Sequence, residues 1–138
     1  MISKIDYMSY VNEFKNNSHV FLVGDLKKSI NHDYIKDTRI EFILCRYEKG
    51  DHGEPHWHPE TDEYEIITSG KIGYQDCMSG NITWYQKGDF SYIPAKKCVK
   101  RLVYTKSETI AVKVPSDDKK YICLNFPDSQ KCKSLEYK

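Results

Sequence analysis

The chain has 138 residues, a net charge of +1 and a hydrophobic fraction of 39%, which fits one soluble domain. Lys and Arg (21) nearly balance Asp and Glu (20), so we expect no nucleic-acid partner. No apolar run approaches the ~20 residues that a membrane span needs, and the polar N-terminus lacks a signal-peptide pattern. We therefore expect a cytoplasmic protein that contacts no membrane.

The predicted elements begin with a short amphipathic helix, because apolar residues recur at three-residue spacing between residues 5 and 15. From residue 19 onward, short apolar or alternating runs replace that pattern. They predict strands at residues 19–24, 38–48, 64–68, 72–77, 82–86, 90–93, 99–105, 109–114 and 120–124. Gly70, within Ser69-Gly70-Lys71, indicates a hairpin between two of these strands.

Many short strands with almost no helix indicate a β-sandwich or a closed β-barrel. We expect an N-terminal helical segment at residues 1–18, a barrel at residues 19–126 and a loosely held tail at residues 127–138. The sequence shows no internal repeat and no linker, so the fold class predicted from the pattern is a single all-β domain.

The five cysteines are an odd number and include no CxxC pair. They are Cys45, Cys77, Cys98, Cys123 and Cys132. This spacing is typical neither of a disulfide framework nor of a structural zinc site. We predict reduced thiols, with Cys45, Cys77 and Cys123 as inert side chains within strands.

His56 and His58 are the first candidate site residues. They are two positions apart, so on extended chain both imidazoles point to the same face. Pro59 and the acidic turn after it let the chain reverse, so Glu63 can approach from the neighbouring strand. Two imidazoles and a carboxylate suit divalent Fe, Mn, Ni, Zn or Co and leave positions open for water or substrate. The alternative is a polar hairpin in which these residues meet by chance.

The segment from Gly50 to Gly70 resembles the first motif of the cupin superfamily, G-x5-H-x-H-x4-E-x6-G, at every fixed position. The resemblance covers residues 35–115 and implies a double-stranded β-helix, or jelly-roll barrel. In cupins the two histidines and the glutamate bind a metal, so the resemblance implies that role for His56, His58 and Glu63. A homodimer is a further expectation from the resemblance.

The second cupin motif, G-x5-P-x-G-x2-H-x3-N, is incomplete in this chain. Its second glycine is Lys96, its metal-binding histidine is Val99 and its asparagine is Val103. Valine cannot bind a metal, so three arrangements remain: a metal with three protein ligands, a site that Cys98 enters through a register shift, or no metal. Counting from Pro94 places Val99 inward and Cys98 outward, which favours three ligands or none.

Strand alternation adds two inward-facing candidates. Glu65 lies on the same face as Glu63, either as a rim carboxylate or as a general base. Arg101 lies on the same face as Val99, and a buried arginine needs a partner. That partner is either one of the glutamates or a substrate carboxylate or phosphate.

Lys96 and Lys100 belong to a basic cluster, with Lys97, near the expected opening of the barrel. Such lysines are either solvated or bind an anionic ligand, and we predict substrate binding by Lys96, Lys100 and Arg101.

Two classes of function follow. The first is a small-molecule-binding cupin with a divalent metal that acts on a small polar, carbohydrate or anionic substrate through His56, His58 and Glu65. The second is a metal-free cupin. It is either a sugar-nucleotide isomerase-like or epimerase-like enzyme with a histidine base, or a non-catalytic ligand-binding or sensing module. The residues do not decide between isomerase, epimerase and oxygenase chemistry.

Overall fold

The computed structural model describes residues 2–123 and the backbone of residues 132–135. An α-helix, α1 (Tyr7–Tyr10), and a 3₁₀ helix, η1 (Val11–Lys15), precede the strands. The strands are β1 (His19–Gly24), β2 (Ile35–Lys36), β3 (Glu41–Tyr47), β4 (His56–Trp57), β5 (Asp62–Ser69), β6 (Lys71–Asp76), β7 (Ile82–Gln86), β8 (Phe90–Ile93), β9 (Val99–Val103), β10 (Ser107–Val114), β11 (Lys120–Cys123) and β12 (Cys132–Leu135).

These strands form two six-stranded sheets, in the orders β2-β1-β3-β10-β5-β8 and β12-β11-β4-β9-β6-β7. From β3 to β11 the chain alternates between the two sheets, except that β6 and β7 are neighbours in one sheet, and this is the connectivity of a jelly roll. The predicted all-β double-stranded β-helix with a short N-terminal helix is therefore confirmed.

The core lies between the sheets. Strand β3 alternates between buried and half-buried side chains along its whole length, so one face of it points inward. The buried cluster combines side chains from both sheets: Ile43, Cys45, Tyr47, Ile67, Ile72 and Val103. This cluster fills part of the space between the sheets, and its members Ile43, Cys45 and Tyr47 also border a cavity that has many polar side chains in its lining.

Gly70 turns the chain from one sheet into the other. Strand β5 pairs with β8 and β10, whereas β6 pairs with β7 and β9, so the predicted hairpin between β5 and β6 is wrong. Gly70 has φ +82° and sits against the backbone of Lys106 and Ser107, where a Cβ would clash. A glycine in this conformation signals a corner between sheets as readily as a tight hairpin.

The sequence analysis did not predict β2 and β4. Each strand has only two residues, which is too short to show an alternation of apolar and polar side chains. Strand β12 lies within the segment expected to be a loose tail, and it pairs antiparallel with β11. The remainder of that tail lies outside the described residues. Within the described part of the chain, no helix is long and apolar enough to cross a membrane.

For Cys77 and Cys123, which were predicted to be inert side chains within strands, the structure shows a contact that the sequence did not reveal. Cys77, Cys98 and Cys123 come from three different strands or their ends, and their sulfur atoms converge. Cysteines that are distant in sequence give no spacing signal, because only the pairing of β6, β9, β4 and β11 brings them together. Cys45 is buried as predicted and forms no disulfide.

Candidate functional site

His56 and His58 enter the barrel from the short strand β4 and the residue after it. His56 pairs with Val99 of β9 on one side and with Ile122 of β11 on the other. Glu63 lies on β5, which belongs to the other sheet, so the expectation that it occupies a neighbouring strand is wrong. The three side chains meet across the barrel interior, and their ligand atoms lie within 4.8 Å of one another.

A backbone carbonyl orients each imidazole. Nδ1 of His56 lies 2.8 Å from the carbonyl oxygen of Glu54, and Nδ1 of His58 lies 2.8 Å from that of Lys119. A carbonyl oxygen only accepts hydrogen bonds, so each Nδ1 carries the proton and donates it. Neutral imidazoles held in this way point an unprotonated Nε2 lone pair into the site, which is the usual arrangement of histidine metal ligands.

The contact between His58 and Glu63 is short but is not a well-formed hydrogen bond. Nε2 of His58 lies 2.7 Å from Oε1 of Glu63, yet this buried nitrogen has no hydrogen-bond partner of acceptable geometry. A lone pair facing a carboxylate oxygen at this distance is repulsive unless a cation or an added proton lies between them. A proton or a cation between His58 and Glu63 would therefore stabilise this pair of side chains.

Electrostatics keep both kinds of ligand in the required protonation state. Burial, reinforced by the charge of Lys120, lowers the pKa of His56 to about 4, so this imidazole is neutral at pH 7. Burial alone would raise the pKa of Glu63, but a hydrogen bond from His58 when its Nε2 carries a proton, and next the charge of Lys113, outweigh burial and bring that pKa to about 2. A neutral imidazole and a charged carboxylate are the forms that bind metals.

Glu65 lies inside the barrel, on the face predicted from alternation. It is 5% exposed and accepts two hydrogen bonds, from the Tyr74 hydroxyl to Oε1 (2.5 Å) and from the Thr109 hydroxyl to Oε2 (2.6 Å). Burial raises the pKa of Glu65 even though both hydrogen bonds act in the opposite direction. A buried carboxyl group with a raised pKa next to a cavity is suited to proton transfer.

Arg101 also points into the barrel, as alternation predicts, and pairs across the sheet with Tyr74. Its guanidinium lies over the Tyr47 ring, 4.1 Å from the ring centroid, and its buried Nε has no hydrogen-bond partner. Within the described residues no ion pair joins Arg101 to Glu63 or Glu65, so the internal salt bridge considered from the sequence is absent. A guanidinium in this setting offers donors to an anion in the cavity.

All of these groups border one cavity of about 340 Å³. Sequence reasoning missed several of its polar side chains: His19, Lys28, Glu41, Tyr74, Thr61, Lys113 and Lys120. Lys113 contacts the fully buried Glu41, with 3.6 Å between Nζ and Oε2. Lys113 lies within the predicted strand 109–114, and this position was the available signal. Whether its side chain points into the barrel depends on the strand register, which the sequence does not give.

Lys96 and Lys100 do not border the cavity. Lys100 pairs with Gln75 and alternates away from Arg101, and Lys96 is exposed with its backbone N–H bonded to the His58 carbonyl (2.7 Å). Lys96 has φ +71°, the left-handed conformation for which the cupin motif has glycine. The cationic side chains that do face the cavity include Arg101, Lys28 and Lys113.

The position of the fourth cupin ligand is apolar. Val99 is 8% exposed and faces the cavity next to His56. Cys98 lies outside the lining of the cavity and faces Cys77 and Cys123 instead. The described residues therefore offer three candidate ligands at this site, and a register shift that would bring in Cys98 does not occur.

Comparison with known proteins rests on structure alone. No protein-family model matches the sequence, and no curated protein matches it. A double-stranded β-helix protein from Klebsiella pneumoniae superposes with a TM-score of 0.58 at 14% identity, covering 64% of this chain and 78% of that one. An RmlC-like cupin from Shewanella frigidimarina gives a TM-score of 0.53 at 17% identity, covering 59% and 71%.

The chain has the cupin fold. A cupin described as a sugar phosphate isomerase, from Silicibacter pomeroyi, also superposes, with a TM-score of 0.52 at 20% identity over 63% of this chain and 57% of that one. At these identities the likeness covers the cupin barrel and not a shared activity.

Proposed function

We propose that this cupin binds a divalent transition metal through His56, His58 and Glu63 and acts on a small anionic substrate. The observation that carries the metal is the contact between His58 and Glu63. Their facing atoms lie 2.7 Å apart without a hydrogen bond, while Nδ1 of His58 is committed to a backbone carbonyl. A divalent cation held by His56, His58 and Glu63 would remove this repulsion.

The three-residue donor set suits Fe, Mn, Ni, Zn or Co and leaves coordination positions for water and substrate. A cation bound here supplies a Lewis acid that polarises a carbonyl or hydroxyl of the substrate. In this proposal Glu65 accepts or returns a proton, because its pKa is raised and its carboxyl group is held by Tyr74 and Thr109.

Arg101, and not the net charge of the cavity, supports an anionic substrate, because the lining has as many acidic as basic side chains. The buried Nε of Arg101 has no hydrogen-bond partner among the described residues, and Lys113 and Lys120 add cationic groups to the lining. A bidentate arginine contact is a common way to hold a carboxylate or phosphate. The sugar phosphate isomerase that shares the fold is an example of a cupin whose named substrate class is anionic.

A metal-free cupin is the second candidate, and Val99 is the observation that favours it. With no fourth ligand, a protonated His58 beside Glu63 would also relieve the repulsion between their facing atoms. In that state the neutral His56 could serve as the base of an isomerase-like or epimerase-like enzyme. The same pocket without chemistry would be a ligand-binding or sensing module.

Elemental analysis of protein expressed with transition metals tests the metal. We expect the wild-type protein to hold about one equivalent of metal per chain more than the double variant His56→Ala/His58→Ala. His52→Ala is the matched control, because His52 is exposed and does not border the cavity. Metal-free wild-type protein, or equal metal in both variants, would overturn the proposed site and favour the metal-free cupin.

Ligand binding tests the anionic substrate separately. Calorimetry measures the binding of inorganic phosphate and of glucose 6-phosphate. We expect both to bind the wild-type protein and to bind Arg101→Lys at least about tenfold more weakly, because lysine lacks the planar guanidinium group of arginine. Lys100→Met removes the neighbouring charge that faces away from the cavity and serves as the control. An equal loss of ligand affinity in both variants would contradict a specific role of Arg101. It would instead indicate a general effect of positive charge, to which Lys100 contributes.

The homodimer and the cytoplasmic location expected from the sequence remain predictions. Light scattering coupled to size-exclusion chromatography measures the first, and fractionation of cells that express the tagged chain measures the second.

A further inference from the structure

Three cysteines form a second cluster of metal-ligating side chains outside the cavity. Cys77 follows β6, Cys98 precedes β9 and Cys123 ends β11. Their sulfur atoms all lie within 4.8 Å of one another. Cys77 is 0% exposed and Cys123 is 4% exposed, while Cys98 is half-buried.

The backbone positions this cluster. The N–H of Cys77 donates to the carbonyl of Cys98 (3.1 Å), and the N–H of Cys123 donates to the carbonyl of Pro55 (2.8 Å). Successive side chains on a strand point to opposite faces, so Cys98 and Cys123 lie on the face opposite their neighbours Val99 and Ile122. Cys77 and Cys98 lie next to the ends of β6 and β9, and Cys123 is the last residue of β11, so all three positions are set by the sheet or by backbone hydrogen bonds at its edge.

The cluster is also separate from the candidate metal site. Val99 and Ile122 are the two residues that pair with His56, so the cysteines lie on the outer face of the strands that flank it. The sulfurs do not border the cavity that contains His56, His58 and Glu63. A ligand held by the cysteines would brace β9 and β11 on either side of the two-residue strand β4.

A disulfide accounts for only part of this arrangement. The sulfur of Cys98 lies within disulfide-bonding distance of both other sulfurs, but one sulfur forms only a single disulfide bond. The Cα–Cα distance is 5.4 Å for Cys77 and Cys98 and 6.9 Å for Cys98 and Cys123. Disulfides usually join Cα atoms about 4.4–6.8 Å apart, so the second pair lies beyond the usual range. A single disulfide therefore uses only two of the three converging sulfurs.

We propose that Cys77, Cys98 and Cys123 bind a soft metal cation, such as Zn²⁺ or Cu⁺, as three thiolates. Thiolate ligands select these ions over the harder cations that carboxylates prefer. Among the described residues no histidine or carboxylate joins the group, so the site is three-coordinate in protein ligands. Binding releases the thiol protons and couples the metal to the folding of the sheet.

Cadmium is a suitable probe, because its thiolate complexes absorb in the ultraviolet by charge transfer and its imidazole or carboxylate complexes do not. Fully reduced protein titrated with Cd²⁺ without oxygen is expected to gain this absorption up to one equivalent per chain. The double variant His56→Ala/His58→Ala should keep the signal, which separates this site from the candidate site in the barrel.

Variants assign the ligands. Cys98→Ser is expected to weaken Cd²⁺ binding on the order of tenfold or more, whereas Cys45→Ala removes a buried thiol elsewhere in the barrel and should leave it unchanged. Because a variant can fold poorly, alkylation of wild-type protein gives a second measurement. Cd²⁺ should protect Cys77, Cys98 and Cys123 from iodoacetamide in peptide mapping.

Three results would overturn the proposal. They are no charge-transfer absorption in fully reduced wild-type protein, a signal that survives Cys98→Ser unchanged, and alkylation of the three cysteines that Cd²⁺ does not slow.

Discussion

Tyr74 and Glu65 connect the two sheets through the interior of the barrel. The Tyr74 hydroxyl, on β6, donates to Oε1 of Glu65, on β5, over 2.5 Å. Thr109 donates to the other carboxylate oxygen, so both oxygens of this buried group are satisfied. The contact holds an acidic side chain in place at the edge of the cavity and also couples its protonation to the packing of the two sheets.

Tyr74→Phe should raise the pKa of Glu65 further, because the lost hydrogen bond favours the charged carboxylate. The raised pKa of Glu65 contributes stability that is present below its unfolded value and lost as the pH rises through its folded value. We therefore expect the variant to lose about 2 kcal/mol of unfolding free energy near pH 7. Urea unfolding at several pH values measures this loss.

Tyr85→Phe is the control for that experiment, since Tyr85 stacks edge-on against Tyr74 and makes no hydrogen bond to Glu65. Equal losses in the two variants would show that the effect comes from packing and not from the carboxylate.

Glu63→Gln should weaken metal binding while it preserves the shape of the site. The amide oxygen carries no charge, so we expect at least ~100-fold lower affinity. Competition with a chromophoric chelator measures the affinity. Glu60→Gln removes an exposed carboxylate from the same connection and should leave the affinity unchanged. An unchanged affinity in Glu63→Gln would remove Glu63 from the ligand set.

His19 should make stability fall in mildly acidic solution. Burial, and next the charge of Arg101, lower its pKa from 6.5 to about 3. Between these values the unfolded chain binds a proton that the folded protein does not, so the unfolding free energy decreases as the pH falls from about 6.5 towards 3. The decrease should be smaller in His19→Gln.

Chemical denaturation in chelator-treated buffer at pH 7, 6 and 5 provides this comparison. His52→Gln, at an exposed position, is the control and should retain the wild-type pH dependence. Parallel curves for His19→Gln and wild type would contradict the burial of a neutral His19.

Gly70→Ala and Gly88→Ala separate backbone strain from steric clash. Both glycines have positive φ, +82° and +91°, so either substitution costs about 1–2 kcal/mol of strain. A Cβ at Gly88 meets nothing within 4 Å, whereas one at Gly70 meets the backbone of Lys106 and Ser107. Gly70→Ala should therefore lose about 1–3 kcal/mol more. Thermal unfolding of the two variants tests the difference.

Much of the candidate site was predictable because strand alternation is local. The two-residue spacing of His56 and His58, and of Glu63 and Glu65, places each pair on one face whatever the strands pair with. The same rule placed Val99 and Arg101 inside the barrel. Residues such as Lys113 and Tyr74 were missed, because an inward lysine or tyrosine resembles a surface residue until the register is known.

By itself, the sequence determined the all-β class, most strand positions and the candidate trio, since these depend on alternation and on a motif of fixed spacing. Only the tertiary structure decided that Glu63 faces the histidines from the opposite sheet and that Gly70 turns a corner. It also decided that Cys77, Cys98 and Cys123 converge. Contacts between distant segments depend on which strands pair. The free energy of that pairing comes from contacts throughout the barrel, so no local sequence pattern predicts it.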